Sequence, residues 1–361
     1  MPTTPYTLDQ ILGYRSLSRV VDERKSVQSF LRPLIFGDGG RDDTSPTETV
    51  DWQVITGDRV VAPFVRRNGP GRVITGYGER TVSISPTNIA LRMNVEPWDV
   101  AFKRTPGQPI YVDSTSVAAQ NMRVQIERRA QRMVDSIEHA EEYLTAMLAF
   151  QAGVSYSDEL GDVFTITVPR PSGNNITLST FWDDATHASI TPWEDFGDAQ
   201  KVVADEVGLQ VTDCVMGEDA AFYFRKWAHA SANSGDNRVI YSDGALASVS
   251  AYTRAGVFYM GTYRGVRLWE YARSLTVAGT SVPLVRAKYA EFFCDGALSD
   301  CVMSYGAIAD LDVDGGIFVG RRFSKSWTNP HPSNRSMLVQ TRPMPMIRRP
   351  GAFVSVKVVS G

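Results

Sequence analysis

The sequence predicts an α+β fold, and three features of its 361 residues carry that prediction. One helical pattern runs unbroken from Ser116 to Gly153. Before it, a glycine-rich turn joins two alternating, strand-like runs. After it, shorter helical and strand patterns mix and close on strands.

The long helix is the strongest signal. Apolar or small residues recur at Met122, Ile126, Ala130, Met133, Ile137, Ala140, Leu144 and Leu148, always three or four apart. That spacing predicts one helix of roughly 35 residues, on the order of 50 Å long. Ser114, Thr115 or Ser116 can cap its start and Gly153 can end it, with no proline between. Arg123, Arg128, Arg129 and Arg132 occupy its first half, and Asp135, Glu138, Glu141 and Glu142 its second. A solvated face is the bland expectation for these charges; head-to-tail complementarity between neighbouring copies is the sharper one.

Residues 1–48 hold too little apolar surface for a core of their own. Leu8, Ile11 and Leu12 are followed by Phe30, Leu31, Leu34, Ile35 and Phe36, then by the linker-like GDGGRDDTSPTE. They read as an arm that lies on another surface. From Trp52 to Trp98 two extended runs meet at Asn68-Gly69-Pro70-Gly71, which predicts a long β-hairpin. Its faces are thinly apolar, so it needs a partner surface.

Further along, Phe164–Val168 and Ile176–Leu178 bracket PRPSGNN as a second hairpin. A helix over 195–207, a strand over 211–216, a helix over 218–230 and strands near 257–259, 266–269 and 289–293 predict a compact α/β unit. Strands at 317–319, 337–340 and 353–358 close the chain.

Composition excludes several function classes. With 43% apolar and 21% charged residues the chain is globular, and a net charge of −3 argues against a surface that grips nucleic acid throughout. No run approaches the roughly 18 apolar residues of a membrane span. The N-terminus lacks the pattern of a secretory signal, so none is expected. Cys214, Cys294 and Cys301 are too few and too scattered for a disulfide framework or a four-ligand zinc site, and are expected as buried thiols.

The chemical motifs fail one after another. RRNGPGRVITGYGER, residues 66–80, places Gly71 and Gly76 at phosphate-loop spacing, but Tyr77 and Gly78 stand where the cation and hydroxyl belong. Gly69 and Gly71 open a dinucleotide fingerprint that Ile74 breaks. DLDVDGG at 310–316 opens like a calcium loop, yet its twelfth position is the cation Arg321, so a polar turn is expected. Asp183, Asp184 and His187, and His139 with Glu141 and Glu142, lack a third ligand. No G-x-S-x-G elbow joins any of the four histidines. No catalytic residue, metal site or cofactor is expected.

An arm, a long hairpin, an unbroken spine helix, an α/β unit and a return to strands resemble, in that order, the Hong Kong 97 phage fold, and more narrowly the lambda-type major capsid protein family. The closest patch is RSMLVQTRPMPMIRRPGAFVSVKVV, through Gln340, Pro343, Met344, Pro350, Phe353, Val354, Ser355 and Val356. SFLRPLIF in the arm, Asn174-Asn175-Ile176-Thr177 and Trp182 add to it. The resemblance implies an N-terminal arm at 1–48, an extended loop at 49–97, a peripheral domain at 98–194 and 312–361 with its spine helix at 116–152, and an axial domain at 195–311. It implies a structural protein, not an enzyme, whose copies form hexamers and pentamers of an icosahedral head around double-stranded DNA. The loop tip, Arg66, Arg67, Arg72, Glu79 and Arg80, and the arm residues Phe30, Leu31, Leu34 and Phe36 are its expected contacts between copies. Implied partners are a scaffolding protein, a portal protein, a decoration protein and non-specific contact with packaged DNA, with no membrane. The implied location is the virion, after assembly in the host cytoplasm. A cellular nanocompartment shell shares the fold, and a soluble α/β enzyme is the reading without the resemblance.

Overall fold

The structure is a computed structural model that describes residues 29–37, 42–56, 78–96, 115–157, 163–184, 190–232, 256–277, 279–295, 300–313, 315–331 and 334–361. Its four α-helices among these residues are α1 (Leu31–Phe36), α2 (Thr115–Gln151), α3 (Pro192–Glu206) and α4 (Glu218–Ala232). The helical spacing of the sequence therefore yields the spine, α2, at 37 residues.

Period-two alternation of large apolar residues makes the main sheet two-sided. Six strands lie in the order Asn175–Thr177, Phe353–Lys357, Tyr289–Phe293, Asp213–Met216, Val266–Tyr271 and Val257–Tyr263. Phe292 turns to one face and meets Phe196 of α3 edge-on, with centroids 4.9 Å apart. Its neighbour Phe293 turns to the other and meets Phe150 of α2 at 6.0 Å. Helices α3 and α4 cover the first face, and the end of α2 with α1 covers the second. Arg264 and Gly265, both at positive φ (52° and 82°), make the tight turn between the last two strands in that order. The Arg264 guanidinium then folds back 4.0 Å from the Trp193 ring, where a Cβ on Gly197 would strike it at 2.6 Å.

The spine ends differently from expectation. Ala152, not Gly153, takes the left-handed conformation (φ 56°), and Gly153 already begins a strand. The terminal carbonyls of α2 are collected by side chains: Arg170 donates to Ala149 O and Phe150 O, Arg286 to Phe150 O at 3.3 Å, and Ser355 to Phe150 O at 2.8 Å. Cations at this end also suit the helix dipole. Burial brings the Arg170 guanidinium down to about 10 despite nearby Glu291.

Three expectations are corrected by strand pairing. The first hairpin pairs Val50–Thr56 with Gly78–Ile84, but Ile89–Val95 leaves it after Pro86 and pairs instead with Asn334–Thr341. The strand Val163–Thr167 pairs with Gly153–Ser157, while Asn175–Thr177 runs parallel to Phe353–Lys357, so PRPSGNN is not a hairpin turn. Asn174, fully buried, holds that stretch by donating to Gly351 O and Phe353 O at 3.0 and 2.9 Å. The closing strand Phe353–Lys357, which the sequence groups with the peripheral part, lies second from one edge of the main sheet, between Asn175–Thr177 and Tyr289–Phe293. The strand Pro343–Met346 was hidden by its prolines, which are tolerated because it lies at the edge of a three-stranded sheet with Asp42–Thr44 and Val302–Tyr305.

Trp182, Phe196, Phe224 and Tyr263 form the aromatic packing under α3 and α4. Trp182 Nε1 donates to Asp195 at 2.8 Å, yet burial, reinforced by Asp198 and Glu194, pushes the Asp195 carboxyl up to about 6. A raised carboxyl favours the folded chain at low pH and loses that contribution as pH rises from the ordinary carboxylate value of 3.8 through about 6. Asp195→Asn, which keeps an acceptor for Trp182, should therefore be more stable than wild type at pH 8 by about 1 kcal/mol. The two should converge below pH 4. Urea titrations at both pH values check this; identical midpoints at pH 8 would contradict it.

Candidate assembly surfaces

The arm segment begins with three donors that have no partner within it. α1 is only six residues long, so its first N–H groups need acceptors from elsewhere. Glu142 of the spine supplies them: it accepts Leu31 N at 2.7 Å, Phe30 N at 2.9 Å and Ser29 Oγ at 2.8 Å, with Tyr271 OH at 3.3 Å. Phe30 fills the space between Trp269 and Tyr271, 5.3 Å from each ring. Burying that ring contributes about 2 kcal/mol.

The preceding residue, Glu141, accepts from Arg32 at 3.0 Å and Arg321 at 3.1 Å, and Glu138, one turn back, accepts from Arg322 at 2.9 Å. Arg32 also grips both Asp42 oxygens at 2.7 and 2.8 Å. Burial raises the Glu141 carboxyl, but Arg321, Arg322 and Arg32 outweigh it and hold it below the ordinary value. Arg322 is wholly buried and Glu141 and Glu142 nearly so. These acids are neither a solvated face nor a contact between copies; they bind their own arm and C-terminal strands. A sequence signal did exist, since Glu141 lies four residues after Ile137 and three before Leu144, on the buried stripe.

The four arm residues expected on a neighbouring copy are thus corrected. Phe30, Leu31, Leu34 and Phe36 lie in the core of their own chain, each at most 8% exposed, with no apolar surface left for a neighbour. The physical reason is that the spine and sheet offer them both an apolar pocket and an acceptor for their backbone.

The first hairpin is rooted in the same core. Val50, Trp52 and Val54 are buried while Asp51 and Gln53 between them face out. Of the expected tip residues, Glu79 and Arg80 belong to the strand opposite Ile55 and Val54. Arg66, Arg67 and Arg72 lie outside the described residues.

The remaining motifs are structural. Asp310 and Asp312 hold Lys325 at 2.6 and 3.1 Å in the expected polar turn. Asp183 accepts from Ser360 near the end of the chain, and His187 lies outside the described residues. His139 meets Arg273 at 2.9 Å, and the three cysteines are buried free thiols. No group of three or more metal-binding side chains occurs among the described residues.

The family model of phage major capsid protein E matches residues 13–358. The chain belongs to that family. The fold agrees. A prophage capsid protein of Escherichia coli CFT073 superposes with a TM-score of 0.71 at 14% identity, covering 96% of this chain and 99% of that one. The capsid of Ralstonia phage GP4 gives 0.51 at 11% identity over 94% and 93%. The capsid of a native GTA particle gives 0.50 at 11% identity over 100% and 95%. No curated protein matches in sequence. The chain is a phage capsid shell protein with a Hong Kong 97-like fold.

In this capsid protein, Glu142 is the acceptor on which the arm depends. Glu142→Ala leaves the donors of Ser29, Phe30 and Leu31 unpaired and should destabilise the docked arm by about 3 kcal/mol. Hydrogen exchange of the Phe30 and Leu31 amides should accelerate while that of the sheet amides at Phe292 and Val354 does not. Unchanged exchange at Phe30 would refute the role given to Glu142.

Proposed function

We propose that this capsid protein forms the hexamers and pentamers of an icosahedral head enclosing a tailed phage's double-stranded DNA, and that its role involves no catalysis. The observation that supports the mode of assembly is the hairpin. Its root is fixed in the core by Val50, Trp52 and Val54, while residues 57–77, including Arg66, Arg67 and Arg72, lie between its two paired strands. An anchored hairpin whose connecting sequence is rich in arginine suits heterologous contact with the next copy in a ring, where the planar guanidinium binds carboxylates in two places.

On this reading 49–97 is the extended loop and the α/β unit around 195–311 lies about the ring axis. A scaffolding protein, a portal protein and a decoration protein complete the head. The net charge of −3 fits weak, non-specific contact with packaged DNA. Assembly takes place in the host cytoplasm.

Deleting residues 64–76 should leave a folded subunit that no longer closes into shells. Circular dichroism establishes the fold and negative-stain electron microscopy the particles; normal shells from the deletion would sink the loop assignment. If the tip binds by charge, wild-type assembly should also weaken between low and high salt. Equal shell yield at both ionic strengths would remove the arginines from that role.

A further inference from the structure

The ribbon of Ile308–Ala309 and Ile317–Phe318 has two unlike faces. On one, Ile308 is buried and Phe318 packs on Phe323 with centroids 5.3 Å apart. On the other, Ala309 and Ile317 pair across the ribbon and are both exposed, and Val319 two residues on is exposed as well. The outward face of such a ribbon ordinarily carries polar side chains. Leu311, in the turn above, is 101% exposed, with no neighbour covering it.

This turn is held stiffly. Asp310 N donates to Gly316 O at 3.1 Å, Val313 N to Asp310 O at 3.2 Å and Gly316 N to Val313 O at 2.9 Å. Asp312 N donates to Asp310 Oδ1 at 2.9 Å, and the Lys325 ammonium ties both carboxylates together. A side chain presented on fixed backbone loses little freedom when it is covered.

We propose that the face made by Ala309, Leu311, Ile317 and Val319 is a contact surface for a second copy of this chain. The inference rests on the shell-forming role and adds a surface distinct from the extended loop. Two observations choose the occupant. The Asp310 and Asp312 carboxylates flank the face and the nearby ammonium is already held by them, which disfavours the phosphates of nucleic acid or lipid. Four side chains fall far short of the roughly 800 Å² per partner of a stable pair. So small a patch holds only as one of several simultaneous contacts, which a lattice of identical chains supplies.

Leu311→Cys places one exposed thiol on a chain whose own three cysteines are buried. In free subunits a maleimide should label it readily. In shells assembled from this chain alone, labelling should slow by about tenfold or more. Equal labelling in both states overturns the proposal, as does protection that appears only when other phage proteins are present. Leu311→Asp should unfold at the wild-type temperature yet form shells in yield reduced by about tenfold or more; wild-type yield overturns it too. Loss of assembly by a folded Leu311→Cys subunit counts with that second result. Wild-type chain that forms no shells at all would instead remove the functional reading on which the proposal stands.

Discussion

Ionised carboxylates buried on the spine helix constrain the rest of the molecule. A buried charge is costly unless a charge of opposite sign or a hydrogen-bond donor meets it. Glu138, Glu141 and Glu142 lie on one face of the helix, three and four residues apart, and are nearly or fully buried. Arg32, Arg321, Arg322 and the backbone of Phe30 and Leu31 converge on them. Those partners come from residues 30–32 and 321–322, so the acids fix where these two distant segments lie against the helix. Removing any one partner strands a charge, which makes the junction specific as well as strong.

A second anchor holds the C-terminal end of the same helix. Arg170 and Arg286 take its carbonyls, Ser355 adds a hydroxyl, and Glu291 accepts from Arg286 at 2.8 Å and from Ser355. The two anchors clamp the arm, the main sheet and the closing strands to one rigid rod. A rigid centre suits a shell protein, since contacts between copies then stay in register across many repeats.

Much of this was visible in residue order. The three- and four-residue spacing of α2, the strands at 289–293 and 353–357 and the helices at 192–206 and 218–232 all emerge where patterning puts them. Asn174 and Trp182, singled out by resemblance, prove to be buried: one bonds the turn before the closing strand, the other packs on α3. What misled was pairing. Alternation shows that a segment is extended but not which segment lies beside it, so nothing local reveals that Ile89–Val95 pairs with Asn334–Thr341 or that Asn175–Thr177 pairs with Phe353–Lys357. The fate of the arm was hidden for a related reason: its apolar content is too small to form a core, but the pocket it completes belongs to distant parts of the chain.

The sequence by itself determined the long helix, the broad α+β class and the absence of a recognisable catalytic or metal motif, because each of these follows from local spacing of residue types. Tertiary structure alone decided that Glu138, Glu141 and Glu142 of the spine are buried, that residues 29–37 pack on their own chain and that the last strand enters the main sheet. Each depends on contacts between residues more than a hundred positions apart, as between Phe30 and Glu142 or between Arg322 and Glu138. Long-range pairing is set by which complementary charge or cavity the folded chain brings near, and no local pattern encodes that choice.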